Sequence, residues 1–135
     1  MDLNKATEKL QAWGGWLQAQ LWDIFVTYTF RYDISLKRSE MYMYRLANEL
    51  LQEQIEHTIF WVAECPHTPY QSHLHILIQG EQVQAFMLSY FLSKGLIIER
   101  NVQVEPYDPT LGAAFYVSKS LNSQHVAYDI SHFAQ

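Results

Sequence analysis

The sequence predicts an α+β fold in which an antiparallel sheet carries helices on one face and leaves the other face for a functional site. Two observations favour this class. β-branched and aromatic stretches alternate with stretches at helical spacing, and the elements in the middle of the chain follow the order β-α-β-β-α-β. Of the 135 residues, 49% are hydrophobic, which is enough for the core of one domain. We therefore expect a single domain over residues 1–135.

The first two elements are predicted to be a helix and a central strand. Apolar residues at helical spacing indicate a helix or broken helix over residues 5–21, interrupted by Gly14 and Gly15. Residues 24–31 are rich in β-branched and aromatic side chains, which is typical of a strand. Because side chains alternate along a strand, we expect one apolar face and one polar face. The apolar face consists of Val26, Tyr28 and Phe30, and the polar face consists of Thr27, Thr29 and Arg31.

The remaining elements complete the predicted order. They are a helix over 37–57, strands over 58–65 and 72–79, a helix over 81–94, a strand over 96–105, a helix over 108–121, and a tail over 125–133 that adds a short strand or simply packs. Gly95 is a natural stop for the second of these helices. Asp108 caps the third, with Pro109 at its first position. The middle six elements match a split βαβ, ferredoxin-like (RRM-like) arrangement with an antiparallel sheet.

Composition excludes several classes of site. The single Cys65 cannot form an internal disulfide or a structural zinc site, so we expect a reducing compartment, the cytoplasm. The first residues are too polar for a targeting segment, and the apolar runs are too short to span a membrane. The net charge of −5 argues against an ordinary nucleic-acid binder, because phosphate contacts come from Lys and Arg. Local basic residues can still line a groove, and we expect weak non-specific binding.

His73 and His75 are the first candidate site residues. They are two positions apart on a predicted strand, so both imidazoles project to the same face, while Leu74 and Ile76 project towards the helices. Neutral imidazoles are common ligands of first-row metal ions. The pair alone also fits a phosphoesterase or an ordinary polar surface.

Glu64 is the candidate third ligand. If the strands over 58–65 and 72–79 pair through their connecting loop, Glu64 comes near the two histidines. The register places Glu64 on the same side as Phe60 and Val62, and we infer that this side faces the histidines. Two imidazoles and one carboxylate suit Mn²⁺ or Mg²⁺ with open positions for substrate oxygens.

Tyr116 and Lys119 form a second candidate pair. They are three residues apart on the last predicted helix and therefore share one of its faces. Tyr116 has the chemistry of a nucleophile, and Lys119 carries a charge that could hold a phosphate or bound DNA. The alternative is a buried packing tyrosine, since a Tyr with a Lys one turn away is common.

Three short motifs occur in the same order as in a known family. They are FVTYTFR at 25–31, HLHILIQG at 73–80 and YVSK at 116–119. Together they resemble the motifs of HUH (histidine–hydrophobe–histidine) endonucleases, in particular the single-tyrosine Rep proteins of rolling-circle plasmids and single-stranded DNA viruses. The resemblance spans about residues 24–121, and the fold it implies agrees with the element order above.

The resemblance implies a single HUH endonuclease domain that nicks and rejoins single-stranded DNA at a specific site and initiates rolling-circle replication. The resemblance implies that His73, His75 and Glu64 are metal ligands that hold Mn²⁺ or Mg²⁺. It implies that Tyr116 is the nucleophile, which forms a 5′-phosphotyrosine, and that Lys119 is the lysine of the same motif. Thr27, Thr29 and Arg31 would support the site or contact DNA. The expected partners are an origin presented as a hairpin or melted duplex, a host helicase and a polymerase, with no membrane.

Two other functions stay open at this stage. One is a single-tyrosine HUH transposase, which shares the histidine pair and the nucleophile. The other is a non-catalytic, RRM-like domain that binds nucleic acid or protein, with neither metal affinity nor a covalent adduct.

Overall fold

The computed structural model describes residues 16–32, 34–64, 73–80, 82–112 and 126–135. Its elements are β1 (Ile24–Thr29), α1 (Leu36–Gln52), β2 (His57–Glu64), β3 (His73–Gln79), α2 (Val83–Ser93), a 3-10 turn (Glu99–Asn101), β4 (Val102–Pro106) and β5 (Val126–Phe133). A helical turn over residues 16–19 precedes β1. The earlier part of the helix predicted over 5–21 lies outside the described residues.

The five strands form one antiparallel sheet in the order β4-β1-β3-β2-β5. β3 lies between β1 and β2 and is antiparallel to both, so β1 and β2 run parallel to each other. Each helix therefore joins two parallel strands that are separated by a third, which is the split βαβ arrangement. The α+β, ferredoxin-like prediction is confirmed. The tail forms a strand, β5, which extends the sheet beyond β2.

The main core lies between the helices and one face of the sheet. Because side chains alternate along each strand, every second residue points into this core. Val26 and Tyr28 of β1 are fully buried there, as predicted for the apolar face of this strand. The other fully or nearly fully buried members include Ile59, Trp61 and Ala63 of β2, Leu74, Ile76 and Ile78 of β3, Met43, Leu46 and Leu50 of α1, and Met87 and Phe91 of α2.

The opposite face of the sheet is only partly open, which corrects the expectation of a bare face. A second apolar cluster covers part of it, formed by Leu17, Trp22, Phe25, Phe60, Val62, Leu77 and Val126. Trp22 is held there because its indole Nε1 donates a hydrogen bond of 2.8 Å to the Leu17 carbonyl oxygen. The polar site is therefore limited to one part of this face, bordered by apolar side chains.

Several element ends differ from the predicted ones. α1 ends at Gln52, before the predicted residue 57, because Gln54 takes a φ of +54° and the chain turns there. Asp108 caps a turn, not the start of the predicted helix, and its carboxylate accepts hydrogen bonds from the backbone N–H and the hydroxyl of Thr110. Residues 109–111 form that turn and Gly112 adopts a φ of +80°, so the described part of the helix predicted over 108–121 is not helical. Residues 113–121 of the predicted helix lie outside the described residues.

Gly80 follows β3 in a conformation that favours glycine. Its φ is +130°, and a Cβ atom there would lie 2.8 Å from Val83 Cγ2 and 3.2 Å from the Glu56 carbonyl oxygen. We expect Gly80→Ala to lower the free energy of unfolding by about 2–4 kcal/mol, from backbone strain and overpacking together. Gly95→Ala is the matched control, since Gly95 has a φ of +68° but open space around it. Urea unfolding should give a loss of only about 1 kcal/mol for that control. Equal losses would contradict the steric argument.

His57 is a buried histidine at the start of β2. Its Nδ1 donates to the Ile55 carbonyl oxygen at 2.9 Å, and its Nε2 accepts from the Ser131 hydroxyl at 2.7 Å. Burial is the main cause that lowers the pKa of His57, and the nearby His132 adds to the effect, against the opposing hydrogen bond to Ile55. Burial therefore favours the neutral imidazole in the folded chain.

This burial predicts a loss of stability in mild acid. Below the ordinary pKa of about 6.5, the unfolded chain binds a proton that folded His57 resists, so stability falls as the pH falls through this window. Urea unfolding at about pH 7.5 and about pH 5.5 measures the fall in the wild type and in His57→Gln. We expect a smaller fall in the variant. The same pH dependence in both chains would show that His57 is not its source.

Among the described residues, no helix is both long and apolar enough to cross a membrane.

Candidate functional site

His75 occupies the centre of the sheet on the face away from the helices, between Thr27 of β1 and Val62 of β2. Both of its ring nitrogens contact side chains. Nδ1 lies 3.2 Å from Thr27 Oγ1, and Nε2 lies 2.8 Å from Glu64 Oε1. The ring also stacks on Phe25, with centroids 6.0 Å apart and planes within 6° of parallel. Contacts from both neighbouring strands therefore fix the position and rotation of this imidazole.

Glu64, the last residue of β2, carries a buried carboxylate, and only 6% of the residue is exposed. Its Oε1 contacts His75, while its Oε2 is buried without a hydrogen-bond partner among the described residues. Burying a carboxylate oxygen without a partner costs free energy. Oε2 is therefore an atom at this site that gains from a cation or a hydrogen-bond donor.

His73 lies two cross-strand pairs from His75, at the first residue of β3. It is opposite Thr29 on β1 and opposite Glu64 on β2, and it is half-buried. Since the histidines are two positions apart along β3, they project on the same side, and Leu74 between them is buried under the helices. The register thus places both histidines and the carboxylate on one face.

The other predicted site residues are placed differently. Thr29 lies on the site face opposite His73. Arg31 follows the end of β1, is exposed, and holds its guanidinium carbon 5.3 Å from the centroid of the Tyr32 ring. The structure thus does not bring Arg31 into contact with the Glu64–His75 pair. Tyr116 and Lys119 lie outside the described residues.

Glu64, His73 and His75 are the donors that would hold the divalent ion implied by the motifs. Imidazole nitrogens together with a carboxylate are ligands that ions such as Mn²⁺ accept, and the buried Glu64 Oε2, which has no hydrogen-bond partner among the described residues, is a ligand atom of this kind. The residues present therefore fit such an ion chemically. Within the described ranges, however, no three His, Cys, Asp or Glu side chains are already arranged to hold a metal. The described site therefore consists of two potential metal ligands in contact, Glu64 and His75, with His73 on the same face opposite Glu64.

Sequence reasoning missed two parts of this site. Phe25 belongs to the same face as Thr27 and stacks on His75, although its apolar character separated it from the polar set. Phe25 is two positions before Thr27, and this spacing was the signal that could have placed both side chains on one face of the strand. Val126 of β5 pairs with Glu64 and is buried in the cluster that borders the site. Nothing local in the sequence indicated that the tail would border the carboxylate.

Comparisons with protein-family models, with curated proteins and with solved structures find no match for this chain.

Proposed function

We propose that this chain is a metal-dependent, site-specific nickase and ligase of single-stranded DNA that uses a tyrosine nucleophile and initiates rolling-circle replication. The observation that carries the proposal is the contact between Glu64 and His75, on a sheet face that also bears His73. A buried carboxylate that contacts His75, lies opposite His73 and has one oxygen without a partner among the described residues is a costly arrangement for a purely structural surface. It is a suitable arrangement for residues that bind a cation.

In the proposed reaction, Tyr116 Oη attacks the scissile phosphorus. The bond to the 3′ oxygen breaks, the phenol loses its proton, and the leaving oxygen gains one to become a 3′-hydroxyl. Glu64, His73 and His75 would hold the ion, which when bound polarises a phosphate oxygen and neutralises developing charge. Lys119 would hold the phosphate or the DNA. Because one phosphodiester replaces another, no ATP is required, and attack by a 3′-hydroxyl reverses the reaction.

The proposed substrate follows from where the site lies. A scissile phosphate has to reach side chains on the surface of a sheet, which unpaired DNA does more readily than a duplex. We propose an origin presented as a hairpin or melted duplex, a host polymerase that extends the 3′-hydroxyl, and a host helicase. The proposed location is the cytoplasm.

A covalent adduct tests this proposal directly. The full chain is incubated with a random pool of single-stranded oligonucleotides and Mn²⁺, and the DNA that remains attached after denaturation is sequenced. We expect a common sequence whose 5′ phosphate is joined to the protein. If no adduct forms with Mn²⁺ or Mg²⁺, the proposal is wrong. An enriched transposon end in place of an origin hairpin would identify a single-tyrosine transposase with the same chemistry.

A non-catalytic, RRM-like domain that binds nucleic acid or protein is the second candidate. It is favoured by one observation: in the part of the chain that is described, no three possible ligands converge as a metal site. Glu64 and His75 would then be a structural pair, joined through Oε1 and Nε2. A Mn²⁺ titration followed by thermal melting separates the two candidates, because bound metal stabilises the folded state by mass action.

A further inference from the structure

The Thr27 hydroxyl contacts the ring nitrogen of His75 that is turned away from Glu64. The distance from Oγ1 to Nδ1 is 3.2 Å. Thr27 and His75 are directly paired across β1 and β3, so backbone register holds this contact rather than a long side chain. The short, half-buried hydroxyl has little freedom to leave the nitrogen. The motif alone left open whether Thr27 supports the site or contacts DNA.

We propose, resting on the metal-dependent function above, that Thr27 is a positioning residue that makes Nε2 of His75 the metal-binding nitrogen. A neutral imidazole that binds a metal through Nε2 carries its proton on Nδ1. Thr27 Oγ1 is placed to accept that proton in a hydrogen bond. Without an ion, Nε2–H donates to Glu64 Oε1, and the Thr27 hydroxyl donates to Nδ1.

A hydroxyl suits both states because it can donate and accept a hydrogen bond. A carboxylate or a carbonyl at this position could only accept, and an ammonium group could only donate. Thr27 therefore keeps Nδ1 satisfied whether or not Nε2 is a ligand.

The other contacts of His75 oppose the alternative ring orientation. Rotating the imidazole by half a turn would exchange its nitrogens for carbons opposite Thr27 and Glu64. The hydrogen bonds to Thr27 at 3.2 Å and to Glu64 at 2.8 Å would then both be lost, and the stacking on Phe25 would not become more favourable. The ring is thus held with Nε2 beside the Glu64 carboxylate. The contact with Thr27 depends on one hydroxyl, which a substitution can remove.

The test compares Mn²⁺ affinities of the full chain by the paramagnetic resonance of free Mn²⁺. Thr27→Val keeps the shape of the side chain but removes the hydroxyl, and we expect about 10–100-fold weaker binding. Thr27→Ser restores the hydroxyl and should keep most of the affinity. Thr58→Val is the matched control, since it removes a hydroxyl that lies 2.8 Å from Nδ1 of another histidine, His132, at the opposite end of β2 from Glu64, and it should bind Mn²⁺ as the wild type does.

Nitrogen chemical shifts of His75 give a second measurement that does not depend on activity. With diamagnetic Mg²⁺ bound, we expect the proton on Nδ1 in the wild type and a mixture of tautomers in Thr27→Val. Unchanged Mn²⁺ binding by Thr27→Val would overturn the role of Thr27 but not the proposed function. The same holds if the His75 proton of the wild type stays on Nε2 with Mg²⁺ bound. Failure of the wild type to bind either ion overturns the proposed function, and the role of Thr27 with it.

Discussion

Tyr116→Phe is expected to abolish covalent attachment to single-stranded DNA while leaving the fold and Mn²⁺ binding unchanged. The phenol oxygen is the atom that would bond to phosphorus, and phenylalanine keeps the ring while removing that oxygen. The loss should reach the background of the assay rather than a fraction of the wild-type rate. Denaturing electrophoresis of protein incubated with a labelled oligonucleotide and Mn²⁺ measures it.

Tyr128→Phe is the matched control for that experiment. Tyr128 lies on β5 and pairs with Val62, so it is on the face of the sheet that carries His75. Burial raises the pKa of the Tyr128 phenol, which makes its ionised, nucleophilic form less accessible. We expect the adduct to form normally in this variant. The chain has nine tyrosines, and an adduct that survives Tyr116→Phe would assign the nucleophile to another of them.

Most of the fold followed from two periodicities in the sequence. The strands predicted over 58–65 and 72–79 match β2 and β3 within one residue at each end. The alternation of apolar and polar residues in strand 24–31 predicted which side chains of β1 reach the main core. Such patterns are strong because a shift of one residue would move a whole row of side chains to the wrong face. Helix ends were less predictable, as the turn at Gln54 shows.

The contacts within the candidate site were only partly predictable. That His73 and His75 share a face follows from counting residues along β3, whereas the placement of Glu64 on that face also required the pairing of β2 with β3. The contact between Thr27 and His75 joins residues 48 positions apart, and it depends on the register between β1 and β3. No local pattern sets that register, because many residues of the whole sheet decide it together. The apolar cluster around Trp22 has the same origin, since its members come from distant segments.

Glu64→Gln is expected to remove stabilisation by divalent ions while leaving the metal-free chain at least as stable as the wild type. The amide keeps a hydrogen-bonding group beside His75 but removes the negative charge that an ion needs. It also removes the cost of burying a charged oxygen without a partner. With free Mn²⁺ at 100 times its Kd, we expect about 2.7 kcal/mol of stabilisation in the wild type and almost none in the variant.

Thermal melting with and without Mn²⁺ measures both halves of this prediction, and Glu105→Gln is its charge-matched control. Glu105 is exposed on β4 and pairs with Phe25, so the control removes one negative charge from the same face at a distance from His75. An unchanged Mn²⁺ response in Glu64→Gln would take this carboxylate out of the site. A large loss of metal-free stability would instead identify Glu64 and His75 as a structural pair, because breaking a buried pair leaves its partner uncompensated. Loss of the Mn²⁺ response without loss of metal-free stability would support a DNA nickase that keeps the Glu64 carboxylate at a cost to stability. The large loss of metal-free stability would instead support a binding domain in which this carboxylate is part of the core.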